Sequence, residues 1–504
     1  RRAVALDPDN AAAHHNLGNA LKAVERLEDA VAHYRRAVAL KPDFAAAQRN
    51  LGALLRQLDR PGEAVVALRA AIGVDPNDAK TVGRLGRTLA DLGLFDEALA
   101  ACDRAVGLQP GDARLHLARA NVLRKADRDD EAIAGLRQTL AVDPAMEEAH
   151  YNLGTALYES GRFADAAVYF RRAVELKSDY ADAHCNLALS LLLDGRLEEG
   201  WRESEWRWRG EDFEKKRPFP QPIWSGEPLA GKAILVTAEQ GAGDEVLFAG
   251  MVPDLTAAGA RVTLECDRRL KPLFERSLPG VACVPKEVPP AAATQSPVFD
   301  YQVTAGDLGR WLRPDLESFP GRPSYLVADA KRRDALRAGD RERGGGPVVG
   351  VAWISKNKRL GRHKSMKLAE LAPLTAVPGV TLVDLQYGDT AAERQAFEQA
   401  TGTTVIHDDA VDQMASLDDF AAQVAATDLV ITVSNTTAHM AGALGVPGWV
   451  LLHSVPLACW LLGRDDSPWY PSLRLYRQAR RGEWAAVIDR VAAALGAMLR
   501  AARR

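Results

Sequence analysis

The chain has 504 residues, with 64 Lys and Arg against 67 Asp and Glu and a net charge of -3 at pH 7. That length suits about three domains, and the balanced charge leaves no basic excess to neutralise a run of nucleic-acid phosphates. Hydrophobic residues at 47% and charged residues at 26% are ordinary for a folded, non-membrane chain, while Cys102, Cys185, Cys266, Cys283 and Cys459 show no spacing of a zinc site or a disulfide framework.

No apolar run approaches the roughly 18 residues of a membrane helix, and the opening residues show no signal-peptide pattern, so the expected compartment is the cytoplasm. The first ten residues, RRAVALDPDN, echo RRAVALKPDF 34 residues later, and the chain reads as opening within a repeat.

The same period carries on. Proline falls at Pro8, Pro42, Pro76, Pro110 and Pro144. Asn-Leu-Gly stands at 16–18, 50–52 and 152–154, varies to Arg84-Leu85-Gly86 and Asn186-Leu187-Ala188, and lapses at 118–120. Leu21, Leu55, Leu89, Leu123, Leu157 and Leu191 follow in step, and Ala30, Ala64, Ala98, Ala132 and Ala166 mark a second helix that a small side chain lets approach the first. Proline ends each unit because it cannot continue a helix. The pattern resembles the tetratricopeptide repeat, which implies stacked helix pairs with a concave groove for peptide or protein. Asn16, Asn50, Asn152 and Asn186 occupy one repeat position and are candidate peptide-binding residues, since an amide can bond both groups of an extended backbone. They resemble the asparagine ladder of O-linked N-acetylglucosamine transferases; the alternative is that they serve contacts between helices, and Arg84 and Ala118 interrupt the series.

The repeats fade after Asn186. Residues 197–209, LEEGWRESEWRWR, gather Trp201, Trp206 and Trp208 on a helical stretch that reads as a docking element between domains, because Glu199, Glu203 and Glu205 oppose a nucleic-acid role. Pro218, Pro220, Pro222 and Pro228 then predict an extended linker.

From Lys232 short apolar runs alternate with helical stretches. Residues 233–237 and 261–266 predict strands, as do 347–354, 380–387, 404–408, 428–434 and 448–453. Two doubly wound parallel sheets are expected, with ligands beyond the carboxyl ends of their strands. Three loops there carry candidate chemistry. Gln240-Gly241-Ala242-Gly243-Asp244-Glu245 opens a helix; its spacing is not a dinucleotide fingerprint, and Asp244 reads either as a helix cap or as a general base. Ile354-Ser355-Lys356-Asn357 and Arg362-His363-Lys364-Ser365 offer donors to a diphosphate, or form a solvated basic loop. Ser434-Asn435-Thr436-Thr437 stands between a buried strand and a helix, with His439 in the first turn.

These motifs, QGAGDEVLFA, GVAWISKN, KSMKLAELAPL, LQYGD, VSNTTAHMAGALGVP and SPWYPSLRLYRQ, resemble the heptosyltransferase-like glycosyltransferases of the GT-B fold, family 9, and their relatives fused to tetratricopeptide repeats. The likeness spans about residues 230 to 490. The repeats predict an α-solenoid over 1–196 and the Trp and Pro residues a docking helix and linker over 197–230, while the likeness implies Rossmann-like halves over 231–340 (acceptor side, with the catalytic base) and 341–490 (donor side), before a helix end over 491–504. It also implies Asp244 as the catalytic carboxylate, with Glu239 and Glu245 in reserve. Donor-site residues would be Gly241, Gly243, Lys356, Lys364, Ser365, Gln386, Ser434, Asn435, Thr436, Thr437 and His439. The family usually carries Asp-Thr where this chain has Ser434-Asn435, which points away from an ADP-heptose donor.

The expected activity is therefore a metal-independent, inverting transfer of a sugar from a nucleotide-sugar to a hydroxyl of a protein held by the repeats, with no cofactor. The resemblance alone suggests a flagellin-like acceptor. Two alternatives stand beside it, a catalytically degenerate domain on a repeat scaffold and a sugar-nucleotide epimerase.

Overall fold

A computed structural model describes residues 2–210, 217–239, 241–296, 298–355 and 361–502. The chain forms two compact units, residues 1–183 and 184–504.

The first unit is a succession of antiparallel helix pairs: Ala11–Ala23 with Leu27–Leu40, Ala45–Gln57 with Pro61–Val74, Ala79–Asp91 with Phe95–Leu108, Ala113–Lys125 with Asp129–Val142, and Glu147–Glu159 with Phe163–Leu176. The repeated glycine explains how closely each pair meets. A Cβ on Gly18 would lie 2.7 Å from the Tyr34 ring, one on Gly52 2.7 Å from Leu68, and one on Gly154 2.7 Å from the Phe170 ring. In the fourth pair Ala120 replaces the glycine, and Gly135 on the facing helix takes up the space, where a Cβ would stand 3.2 Å from that of Ala120. The lapse at 118–120 thus has a local compensation. Ala30, Ala64, Ala98, Ala132 and Ala166 are all fully buried. The prolines also accept hydrogen bonds: the carbonyls of Pro8, Pro110 and Pro144 each meet the Nε2 of the His six residues on, at 2.9 to 3.0 Å.

The second unit contains two all-parallel sheets. The first has strands β1 (Ala233–Thr237), β2 (Arg261–Cys266), β3 (Ala282–Pro285) and β4 (Tyr301–Thr304) in the order β3-β2-β1-β4. The second has β5 (Val348–Ala352), β6 (Thr381–Asp384), β7 (Val405–Ile406), β8 (Leu429–Val433), β9 (Gly448–Leu452) and β10 (Leu473–Arg477) in the order β10-β9-β8-β5-β6-β7. Every pairing is parallel. In β5, Val348 and Ala352 enter one buried cluster while Val349 and Val351 enter another, so this sheet is covered on both faces and its strands can be apolar throughout. The strand order reverses between β1 and β4 and between β5 and β8, and each reversal opens a crevice at the carboxyl ends of the strands.

Helix Leu197–Ser204 attaches to the first sheet's side of this unit. The Trp201 indole N–H donates to the carbonyl of Arg313 at 2.9 Å, and its ring covers Gly309, where a Cβ would meet it at 2.6 Å. The proline-rich segment is extended but is not a free linker. The N–H of Gln302 donates to the carbonyl of Pro222 at 2.8 Å and the N–H of Trp224 to that of Gln302 at 2.9 Å, pinning the segment along β4.

Candidate functional site

The loop after β1 leads into helix Ala242–Ala249 with Gly241 at its N-cap and no side-chain cap. Asp244 makes no capping bond, so the capping reading of this residue falls. A Cβ on Gly243 would stand 3.3 Å from the His439 Cδ2 and 3.4 Å from the Thr436 Oγ1. The first turn of this helix is therefore pressed against the first turn of helix Thr436–Leu444, which follows β8. Two helix N-termini from the two crevices meet at one point, and Asp244 stands there.

Asp244 is open to solvent yet ringed by protein, as a group within a cleft is. Desolvation by the walls, then the negative charge of Glu239, raises its carboxyl to about 6, against the pull of the Lys364 ammonium. Water still reaches the carboxylate, which limits that rise. Lys364 faces it from the loop after β5 and is 2% exposed. Burial lowers its ammonium to about 8, although Cys459 and Asp244 both favour the charge, and among the described residues it makes no ion pair. Cys459 completes the group, its thiol pushed up to about 12 by burial and by Asp244.

The reserve carboxylates are engaged elsewhere. Glu239 accepts from the N–H of Gly306 at 2.7 Å and from Arg207 at 3.2 Å. Glu245 is buried, accepts from the N–H of Asp267 at 2.6 Å, and has its carboxyl raised by burial to about 7.

Most of the expected donor-site side chains hold the loops together. The Gln386 carboxamide oxygen accepts from the N–H groups of Trp353 at 3.0 Å and Ile354 at 2.7 Å. The Ser365 hydroxyl donates to the carbonyl of Gly361 at 2.7 Å and accepts from the N–H of Ser355 at 2.9 Å, closing the loop on itself. Ser434 accepts from the Trp460 indole at 2.8 Å. Asn435 caps helix Thr436–Leu444, its oxygen accepting from the N–H groups of Thr437 at 3.0 Å and Ala438 at 3.3 Å, while its amide donates to the carbonyl of Ile354 at 3.2 Å. Thr437 is buried.

His439 is buried as well, its Nδ1 3.0 Å from the Tyr470 hydroxyl and its ring stacked 5.3 Å from that of Trp460. Burial, then the charge of Lys364, lowers its imidazole to about 3, so it stays neutral at ordinary pH. What remains for an anion is half-buried Thr436, with the buried Lys364 ammonium. Lys356 and Asn357 lie outside the described residues, as does Gln240. Cys459, Trp460 and Tyr470 were not singled out from sequence, although Tyr470 lies within SPWYPSLRLYRQ.

Of the repeat asparagines, Asn16 is exposed. Asn50 donates to Asn19 at 3.0 Å and Asn152 to Asn121 at 3.2 Å, the same link one repeat back in each case. Their amides join neighbouring repeats, and their carboxamide oxygens accept nothing from the described residues. Asn186, in the second unit, is half-buried.

Models of the tetratricopeptide repeat match residues 23–59, 55–122, 117–181 and 151–200. The curated protein FlbA of Caulobacter vibrioides is 36% identical over 318 residues, 60% of this chain and 52% of its own length. That stretch is longer than the whole first unit, so the likeness reaches into the second; the chain spans about half the length of this relative. Among solved structures, TTC0263 of Thermus thermophilus, a thermophilic TPR protein, shares 24% identity over 36% of this chain and all of its own, with a TM-score of 0.33. YrrB, described as a TPR protein with an unusual peptide-binding site, shares 24% over 36% of this chain and 94% of its own, with a TM-score of 0.30. The first unit is thus an array of tetratricopeptide repeats, a scaffold suited to a peptide or protein partner. No helix among the described residues is long and apolar enough to cross a membrane.

Proposed function

We propose that the second unit is a GT-B glycosyltransferase that moves a sugar from a nucleotide-sugar to a hydroxyl of a protein recruited by the repeats, in the cytoplasm. The observation that carries this reading is that Asp244 and Lys364 act on each other where the first turns of helices Ala242–Ala249 and Thr436–Leu444 are pressed together. In the proposed reaction the acceptor oxygen attacks the anomeric carbon, its proton passes to the Asp244 carboxylate, and the bond from that carbon to the phosphate oxygen breaks. The electron pair leaves on the nucleotide diphosphate, whose charge Lys364 and the N-terminus at Thr436 stabilise. A single displacement inverts the anomeric centre. A flagellin-like Ser or Thr is the acceptor that the resemblance suggests.

The test is calorimetry of nucleoside diphosphates and their sugars with the intact chain. One nucleotide should bind, binding should persist in Asp244→Asn, and it should be lost in Lys364→Ala. Failure of every nucleotide at millimolar concentration sinks the transferase reading. One feature favours the scaffold alternative. Asn435 occupies two N–H groups that an anion would otherwise meet, leaving the donor site fewer open contacts.

A further inference from the structure

The short helical segment Glu205–Arg209 follows helix Leu197–Ser204, and its Arg207 turns inward, with a side chain only 14% exposed. The guanidinium lies 4.4 Å over the Trp208 ring, and its Nη1 donates to the carbonyl of Ser204 at 3.1 Å. Its Nη2 forms an ion pair with Asp307 at 2.6 Å and donates to the Glu239 Oε1 at 3.2 Å. Burial opposes the charge, yet Asp307 and then Glu239 raise the guanidinium overall, so Arg207 is held as a cation between two carboxylates.

Glu239 brings this group into the candidate site. It stands two residues past β1 and five before Asp244. Its Oε1 also accepts from the N–H of Gly306 at 2.7 Å, and its carbonyl accepts from the Lys286 Nζ at 2.9 Å. A Cβ on Gly306 would collide with that Oε1 and stand 3.3 Å from the Arg207 Nη2, so glycine is required where the three meet. The loop that carries Asp244 therefore starts from a residue held by its side chain and by its backbone. Asp244 faces Glu239 from this loop and Lys364 from the loop after β5. The other titratable groups around it, Cys459, Tyr470 and His439, are uncharged at neutral pH.

We infer that Arg207 is a positioning residue for the proposed transfer: through Glu239 it anchors the loop that carries Asp244, and it offsets the Glu239 charge that Asp244 faces. Arginine suits this place because one rigid fork reaches a carbonyl and two carboxylates together. The segment between the repeats and β1 thereby has a part in the reaction as well as in docking, although it belongs to neither sheet. The inference rests on Asp244 acting as the base. Its test needs no nucleotide, so its failure and that of the proposed transfer are separable.

Urea unfolding of the intact chain, read by tryptophan fluorescence at a series of pH values, gives the stability gained on Asp244→Asn. The Asp244 carboxyl, raised on folding, holds its proton more tightly in the folded chain than in the unfolded one. The parent therefore loses stability as pH rises from about 4 to about 6, and the gain from the Asn variant grows over that window and levels off above it. In an Arg207→Met background the levelling point should move up by about half a pH unit or more, and in a Glu239→Gln background down by a similar amount. Arg207→Met combined with Asp307→Asn keeps the net charge while leaving Glu239 unopposed. It should also shift the levelling point upward, and it serves if Arg207→Met alone does not fold. A purely structural role lowers stability in these backgrounds without moving the levelling point. That result, or a downward shift on loss of Arg207, overturns the inference.

Discussion

Lys364 should be a destabilising residue kept for its charge, and replacing it tests that directly. Its ammonium falls from an ordinary value of 10.5 to about 8 on burial. At pH 7 it is charged both in the folded and in the unfolded chain, and holding that charge in the folded protein costs roughly 3 kcal/mol. Between pH 8 and 10.5 the folded state releases the proton first, so the unfolded state binds more protons and stability rises with pH. At pH 9.5 only about half of that cost remains by the same linkage.

Lys364→Met, similar in volume but uncharged, should therefore stabilise the second unit by roughly 3 kcal/mol at pH 7, about 5 °C in Tm for a unit of this size. About half of that advantage should vanish at pH 9.5. Packing changes are the same at both pH values and cancel in the comparison. All ten tryptophans lie in the second unit, so tryptophan fluorescence during urea or thermal unfolding reports on that unit alone. A variant no more stable than the parent at pH 7, or with an advantage independent of pH, refutes the account. In that case the ammonium is well paired and its burial costs nothing. Under the proposed function the stabilised variant must also lose nucleotide binding.

Three other outcomes follow from the same geometry. If Asp244 is the base and Lys364 the charge that meets the phosphates, kcat/KM should rise with pH through a limb at or below about 6 and fall through one near 8. A flat profile between pH 5 and 9 excludes this pairing. Asn435→Ala should remove a helix cap and lower stability by about 1 kcal/mol, whereas Asn435→Asp should keep the cap and weaken the binding of any anion. Denaturation and calorimetry would separate the two effects, and equal nucleotide affinity in the Asp variant argues against an anion at this turn. Trp201→Ala should cost about 3 to 5 kcal/mol in the second unit, read by chemical denaturation. A loss below about 1 kcal/mol means that helix Leu197–Ser204 is held by other contacts.

The strands legible in the sequence were those that carry a short apolar run. β1 and β2 agree with their predicted bounds, and β5, β6, β8, β9 and the short edge strand β7 lie within theirs. The three that escaped notice, β3, β4 and β10, are all edge strands. An edge has one neighbour and often one open face, so ACVP, YQVT and LRLYR carry a proline, polar residues or charges and show no continuous apolar run. The repeat lapse at 118–120 was visible, but its repair by Gly135 depends on a contact between helices.

The site was legible as a set of loops and not as a set of roles. Asn435 is committed to Ile354, 81 residues away, Ser434 to Trp460, 26 away, and Gln386 to Trp353, 33 away. Each partner stands on another loop, so nothing near these residues in sequence marks their side chains as occupied. Asp244 and Lys364 are different because each has a cost that the fold does not repay. Asp244 sits at a helix start without capping it, and Lys364 carries an ammonium into a buried place among the described residues without an ion pair. Residues that serve the loops satisfy one another, and residues that oppose local stability are those left facing the cleft.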